Sequence, residues 1–129
     1  MSKAKGSRAE RELLHLFDKS NWSCIRTAGS GSTTIPATDL LAAKNARVLA
    51  IECKSGDKDT TRYLDIEQIS ELKKVAKKFG AEPLVAVRFD TIGWFFLKPE
   101  QLAKSKNNVP YFSFDLAKKK GISFKELIK

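Results

Sequence analysis

Seven residues, Val48-Leu49-Ala50-Ile51-Glu52-Cys53-Lys54, form an apolar run of strand-favouring type with two charges set into it, two positions apart. A strand alternates its faces, so Glu52 and Lys54 project to one side while Ile51 and Cys53 project to the other. Burying a carboxylate and an ammonium beside apolar neighbours is costly unless each other, a metal or a substrate compensates them. A second run, Asp39-Leu40-Leu41-Ala42-Ala43, can fold back against the first through a short turn at Lys44-Asn45-Ala46. That hairpin brings Asp39 near Glu52. Two carboxylates and an amine at a strand end can hold Mg²⁺ and activate a water against a phosphodiester. Taken alone, a Glu-x-Lys pair on a strand is usually a same-face ion pair with nothing bound. Its place behind an Asp, in a strongly basic chain of this size, gives it specificity.

The 129 residues suit one domain with one hydrophobic core, and a hydrophobic content of 42% fits a folded globule. Lys and Arg number 24 against 15 acids, a net charge of +9. The excess points to a polyanionic partner, with nucleic acid ahead of anionic membrane because no segment is apolar enough to span a bilayer. A solvated basic surface is the plainer alternative. The first dozen residues are polar and charged, with no apolar signal region behind Met1. Cys24 and Cys53 fall within expected strands and make no disulfide framework, and His15, the only histidine, sits on the polar face of a helix. Zinc chemistry and histidine acid–base catalysis are poorly supported. A reducing, intracellular setting is expected, cytoplasmic and nucleoid-associated.

Along the chain, Ser7-Arg8-Ala9-Glu10 has the form of a capping box opening a helix to about Lys19, with Glu10, Leu13, Leu14 and Phe17 on one face. A strand is expected from Ser23 to Ala28. The stretch from Gly29 to Thr38 has almost no large apolar group and lacks the Gly-Lys-Ser/Thr ending of a nucleotide-binding loop. After the hairpin comes a polar loop, 55–62. A second helix is expected from Asp65, its N-cap, to Phe79, with Gly80 as its stop and Ile69, Leu72, Val75, Ala76 and Phe79 as its apolar face. Leu84–Phe89 reads as a buried strand, and Gly93 turns the chain into Trp94–Leu97. Pro99 starts a short helical turn, Tyr111–Phe114 reads as an edge strand, and Ser123–Glu126 is a second capping box. The fold class is α/β: a central mixed sheet of five strands flanked by helices.

With these residues in place, the chain resembles the archaeal-type Holliday junction resolvases of the restriction-endonuclease-like, PD-(D/E)XK nuclease superfamily. The resemblance covers roughly residues 5–97, and it is carried by Gly6 with Ala9-Glu10-Arg11-Glu12-Leu13, Arg26-Thr27-Ala28-Gly29-Ser30, Asp39, Ile51-Glu52-Cys53-Lys54, Gln68, Phe79-Gly80 and Val85–Phe89 with Gly93-Trp94. It implies a restriction-endonuclease-like fold and a single nuclease domain over 1–129, with a core at about 5–97 and smaller elements at 98–129. It also implies a homodimer that cuts four-way DNA junctions by paired nicks, using Mg²⁺, with Mn²⁺ as a substitute. By the resemblance, Asp39 and Glu52 are metal ligands, and Glu10 completes the acidic cluster directly or through a metal-bound water. Lys54 then orients or activates the attacking water, Arg11, Arg26 and Ser30 contact phosphate near the scissile position, and Gln68 supports the site from the second helix. The chain departs from the superfamily pattern in two places: Thr38-Asp39 stands where Pro-Asp is usual, with Pro36 upstream, and the loop from Gly29 to Thr38 is longer than in many relatives.

Several of these residues also have ordinary readings. A capping box explains Glu10 without chemistry, although the same Glu heads the apolar stripe and looks inward. Arg11 reads alone as a solvated charge, Ser30 as a turn residue, and Gln68 as a helix-surface residue. Arg26 lies mid-strand, where a charge calls for a carboxylate or phosphate partner. The loops 29–38 and 55–62, the latter with Lys58 and Arg62, are candidates for ordering against DNA strands. Two rival functions remain: a nuclease of the same fold acting on other DNA structures, and a non-catalytic basic nucleic-acid-binding module.

Overall fold

The computed structural model describes residues 3–27 and 37–129. Ser30, Pro36 and most of the Gly-rich stretch lie outside them. The elements in chain order are α1 (Lys3–Lys19), β1 (Ser23–Arg26), β2 (Leu40–Lys44), β3 (Arg47–Gly56), β4 (Arg62–Tyr63), α2 (Ile66–Phe79), β5 (Glu82–Phe89), β6 (Gly93–Leu97), a 3₁₀ turn (Pro99–Gln101), β7 (Ala103–Lys104), β8 (Pro110–Phe112), α3 (Phe114–Lys120) and α4 (Phe124–Leu127).

Five strands form the main sheet in the order β1-β2-β3-β5-β6. The first three make an antiparallel meander, β5 and β6 are antiparallel, and β3 and β5 run parallel with α2 as the crossover between them. The β2–β3 hairpin closes after the Lys44–Arg47 pair, so Asn45 and Ala46 make the turn, both with positive φ (49° and 68°) as a type I′ hairpin requires.

Strand alternation splits the core into two layers. Leu40, Leu49, Ile51, Leu84, Trp94 and Phe96 pack with Ala9, Leu13 and Phe17 of α1 and with Leu127 of α4. Ala50, Val85, Val87 and Leu97 pack on the other face with Ile69, Leu72 and Ala76 of α2, with Phe112 and with Ala117 of α3. The C-terminal elements are thus part of both layers. The full burial of Ala50, Ile51, Val85 and Val87 is what a central parallel pair covered on both faces requires.

The end signals of α2 are as expected. The Asp65 carboxylate accepts from the Glu67 N–H, and Gly80 closes the helix in the left-handed conformation at φ 64°. Ser123 caps α4, accepting from the Glu126 N–H. Elsewhere the structure corrects the sequence reading. Helix α1 begins at Lys3, so Ser7 and Glu10 lie inside it rather than forming its cap. Phe79 is 58% exposed and leaves the apolar face of α2, because it falls at the fraying end next to Gly80. Strand β3 continues through Gly56 and Arg62 begins β4, which shortens the polar loop to 57–61. The expected edge strand ends at Phe112 and does not join the main sheet. It is the middle of a three-stranded sheet, β4-β8-β7, while Phe114 starts a helix capped by Ser113.

Candidate active site

Strand β3 lies at the centre of the main sheet, and its even-numbered residues face α2. The β2–β3 register pairs Leu40 with Ile51, which sets Asp39, one residue before β2, across from Glu52. The hairpin expected from sequence therefore does bring the two acids together. Asp39 is fixed by backbone on every side. Its N–H donates to the Ile51 carbonyl at 3.1 Å and its carbonyl accepts from the Thr27 N–H at 3.0 Å. Its side-chain Oδ2 accepts from the Cys53 N–H at 2.8 Å.

Thr38 explains why the usual Pro is dispensable here. It is buried, and its hydroxyl donates to the Ile51 carbonyl while its own carbonyl accepts from the Thr27 hydroxyl. A ring that fixes φ is replaced by two hydrogen bonds that hold the same turn. Thr27 and Thr38 are positioning residues; the first stands in a segment that carries the family resemblance and the second in the dipeptide that departs from it, but the sequence assigns neither this role.

Glu52 is buried, with 8% of its surface exposed, and its carboxyl shares a hydrogen bond with Asp39. Burial, then the Asp39 charge, pushes Glu52 up to about 8; the Lys54 ammonium opposes the shift. Asp39 is also raised, chiefly by burial, with the Cys53 N–H bond opposing. Both acids are raised, but the shared hydrogen bond raises Glu52 and lowers Asp39, so Glu52 carries the proton. Lys54 Nζ stands 3.8 Å from Glu52 Oε2 and donates to Gln68 Oε1 at 2.7 Å. Gln68 thus reaches the site from the first turns of α2, as expected.

Glu10 approaches from α1, on the opposite face of the sheet. Its Oε1 accepts from Arg26 Nε at 2.7 Å, and Arg26 Nη2 donates to Ser7 Oγ at 3.0 Å. Arg26 has the carboxylate partner its mid-strand position called for. The Glu10 charge still reaches Asp39 and Glu52, adding to the upward shift of both. Among the described residues, no three acids, cysteines or histidines are gathered so as to hold an ion. The close pair is Asp39 and Glu52, with Glu10 tethered beside it. Arg11 and Lys58 are exposed, and Arg62 donates to the Ser55 carbonyl. Burial pushes the Cys24 thiol up to about 11 and raises Cys53 well above the ordinary thiol value, so both stay protonated.

A cavity of about 490 Å³ opens on the α1 face of the sheet, lined by Arg8, Ala9, Glu12, Ser55, Arg88 and Asp90; Asp39, Glu52 and Lys54 are not in its lining. Ala9 and Ser55 are the chain neighbours of Glu10 and Lys54. Arg88 is braced there, donating to Glu12 and, at 2.6 Å, to Asp90.

A mixed sheet carrying Asp, Glu-x-Lys and a supporting Gln on one hairpin and one crossover helix defines a nuclease of the restriction-endonuclease-like class. The family model for archaeal Holliday junction resolvases (Hjc) matches residues 1–129, and the chain belongs to that family. It is 36% identical over 106 residues to the crossover junction endodeoxyribonuclease Hjc of Archaeoglobus fulgidus, covering 82% of this chain and 77% of that protein. With the enzyme of the same name from Methanocaldococcus jannaschii it shares 35% identity over 124 residues, covering 96% and 86%. The crystal structure of the Archaeoglobus fulgidus Hjc superposes with a TM-score of 0.86 at 29% identity, covering 96% of this chain and all of that one.

Proposed function

We propose that this chain is a structure-selective endonuclease that resolves four-way DNA junctions by paired, divalent-metal-dependent phosphodiester hydrolysis. The observation that carries the reading is the pair of half-buried Asp39 and buried Glu52, two carboxyls crowded enough to share one proton, facing Lys54. Family membership supplies the substrate class.

The donor set fits Mg²⁺. Hard carboxylate oxygens suit that ion, which keeps several waters and therefore needs few protein ligands. Two mutually repelling acids are also relieved when a cation replaces their shared proton. Asp39 and Glu52 would hold it, with Glu10 close by. A bound divalent cation supplies charge to offset the phosphate oxygens and acidifies a coordinated water.

The chain's own groups do the rest. Gln68 holds the Lys54 ammonium beside the acid pair, where it favours the deprotonated form of a water and offsets charge gathering on phosphorus. Arg11, exposed on α1, and Arg26, paired with Glu10, would contact phosphate, and such contacts from arginine position a strand without reading its sequence. Specificity then follows from junction shape. A two-fold homodimer would place two such sites on the two symmetry-related strands of a junction. Among the described residues no helix is long and apolar enough to cross a membrane; the cytoplasmic, nucleoid-associated setting is proposed from the DNA substrate.

The test incubates the protein with a four-way junction and with duplexes of equal sequence, in Mg²⁺, in Mn²⁺ and in EDTA. Paired nicks in the junction with either metal are expected. Equal cutting of duplex would reject junction selectivity, and cutting in EDTA would reject the metal.

A further inference from the structure

The small sheet β4-β8-β7 has one buried face and one open face. Phe112 packs inward against Phe89, whereas Tyr63 and Tyr111, directly paired across β4 and β8, point outward with ring centroids 5.2 Å apart. Tyr63 is 60% exposed. Ile66, which opens α2 three residues later, is 53% exposed. Adjoining them through Ile66 and Pro110 is a cleft of about 210 Å³ between α2 and the small sheet, with Ile69 and Pro99 along it and Lys73 and Lys104 as its cations; it opens at the edge of the sheet, and neither tyrosine is in its lining. No acid lines that cleft, and among the described residues neither lysine is in an ion pair. Asp65 is occupied in capping α2, and the two acids within the helix, Glu67 and Glu71, are not in the cleft's lining.

We propose that Tyr63 and Tyr111 form a stacking platform for a base of junction DNA that has left its helix, with Lys73 and Lys104 holding the adjoining backbone. This deepens the junction-nuclease reading and rests on it. Three features select this occupant. The exposed apolar groups are led by paired aromatic rings, which stack on any base whatever its identity. The flanking charges are cations without counter-charges, which suits a polyanion. The platform's first strand is also tied to β3, through Arg62 to the carbonyl of Ser55, the residue after Lys54.

The physical consequence is selectivity for structure without sequence. Extruding a base from a continuous duplex costs a few kcal/mol, and least where pairing is already imperfect. Bases at a branch point have lost a stacking neighbour, so the same aromatic contact is gained there at smaller cost. A platform of this kind therefore favours branched over linear DNA.

The experiment compares the full chain with Tyr63→Phe, Tyr63→Leu and Tyr63→Ala variants, in EDTA so that bound DNA stays intact. Affinity is measured for a four-way junction and a matched duplex, with 2-aminopurine at the branch reporting stacking by its fluorescence. Tyr63→Phe should bind like the parent. Tyr63→Leu and Tyr63→Ala should lose about tenfold in junction affinity, the scale of one base–aromatic stack, with little change on duplex and with the 2-aminopurine signal altered. Unchanged junction affinity in Tyr63→Ala, or full retention in Tyr63→Leu, overturns the platform. A loss accompanied by a smaller sedimenting mass assigns the face to a second copy of the chain and also overturns it. Thermal melts confirm folding, which an exposed side chain should barely affect. Failure of the parent to prefer or to cut junctions in Mg²⁺ would instead count against the function itself.

Discussion

Replacing Glu52 by glutamine should make the protein more stable at neutral pH while abolishing cleavage. Glu52 has an ordinary value of 4.5 and is pushed up to about 8 in the fold, by burial first and the Asp39 charge second. An acid raised in this way favours the folded state only while protonated. Its contribution is complete below about pH 4.5 and drains away as the pH climbs towards 8. At about 1.4 kcal/mol per pH unit, the loss is roughly 3 kcal/mol between pH 4.5 and pH 7. Glutamine keeps the shape of the protonated acid, and its amide can donate to the Asp39 carboxylate at every pH. In EDTA at pH 7, Glu52→Gln should therefore melt about 10 °C above the parent, taking about 3–5 °C per kcal/mol for a domain of this size. The gap should shrink towards zero near pH 4.5. Thermal denaturation of both proteins across pH 4.5–8, with junction cleavage measured in parallel, makes the comparison. A parent melting temperature that is flat over this range, or a variant less stable than the parent at pH 8, refutes the shared-proton account.

Other outcomes follow from the same geometry. At pH 8, Mg²⁺ at ten times its dissociation constant should stabilise the parent by about 1.4 kcal/mol, and Asp39→Asn or Glu52→Gln should lose most of that gain in a melting titration. Gln68→Ala frees the Lys54 ammonium from its 2.7 Å partner; single-turnover cleavage should slow roughly ten- to hundredfold, the scale of one charged hydrogen bond, while junction affinity is kept. Gly56→Ala would bring a methyl to 2.8 Å from Phe89 Cζ and 2.9 Å from Phe112 Cε1. It should cost about 1–3 kcal/mol in chemical denaturation, as overpacking at the seam between the two sheets.

The parts of the molecule with strong local periodicity were legible from the chain. The Leu40–Ala43 and Val48–Lys54 runs, the cap and stop of α2, and the Leu84–Phe89 strand all emerge where the pattern places them. So does the meeting of Asp39 with Glu52, because a hairpin is a local structure and its register follows from its turn. What escaped was non-local or shared between two explanations. Ser7 and Glu10 match a capping box, yet the helix extends past them and both turn to Arg26, sixteen or more residues away. Strands of two or three residues, such as β4, β7 and β8, are too short to show alternation, and β4 pairs with β8 across a long stretch of chain, Arg62 against Phe112. Tyr63 and Tyr111 could not be seen as neighbours without that pairing.

The two acids of the site and its two cations are held by different means, and this bears on how the site can respond. Asp39 and Glu52 are placed by backbone: one sits across from the other through strand register, on a hairpin whose central strand has Ala50 and Ile51 fully buried. Neither can retreat from the other without breaking the pairing of β2 with β3. Their repulsion must therefore be met in place, by a proton or by a cation. Lys54 and Arg26 are held by side chains, through Gln68 in one case and through Glu10 and Ser7 in the other. Such contacts exchange partners at the cost of a few rotamers. A rigid anionic pair flanked by re-orientable cations is the arrangement suited to taking in a divalent ion together with a phosphate chain. On the proposed reading, the acids would hold their positions while an ion took the place of the proton, and the cations would turn to the incoming phosphates.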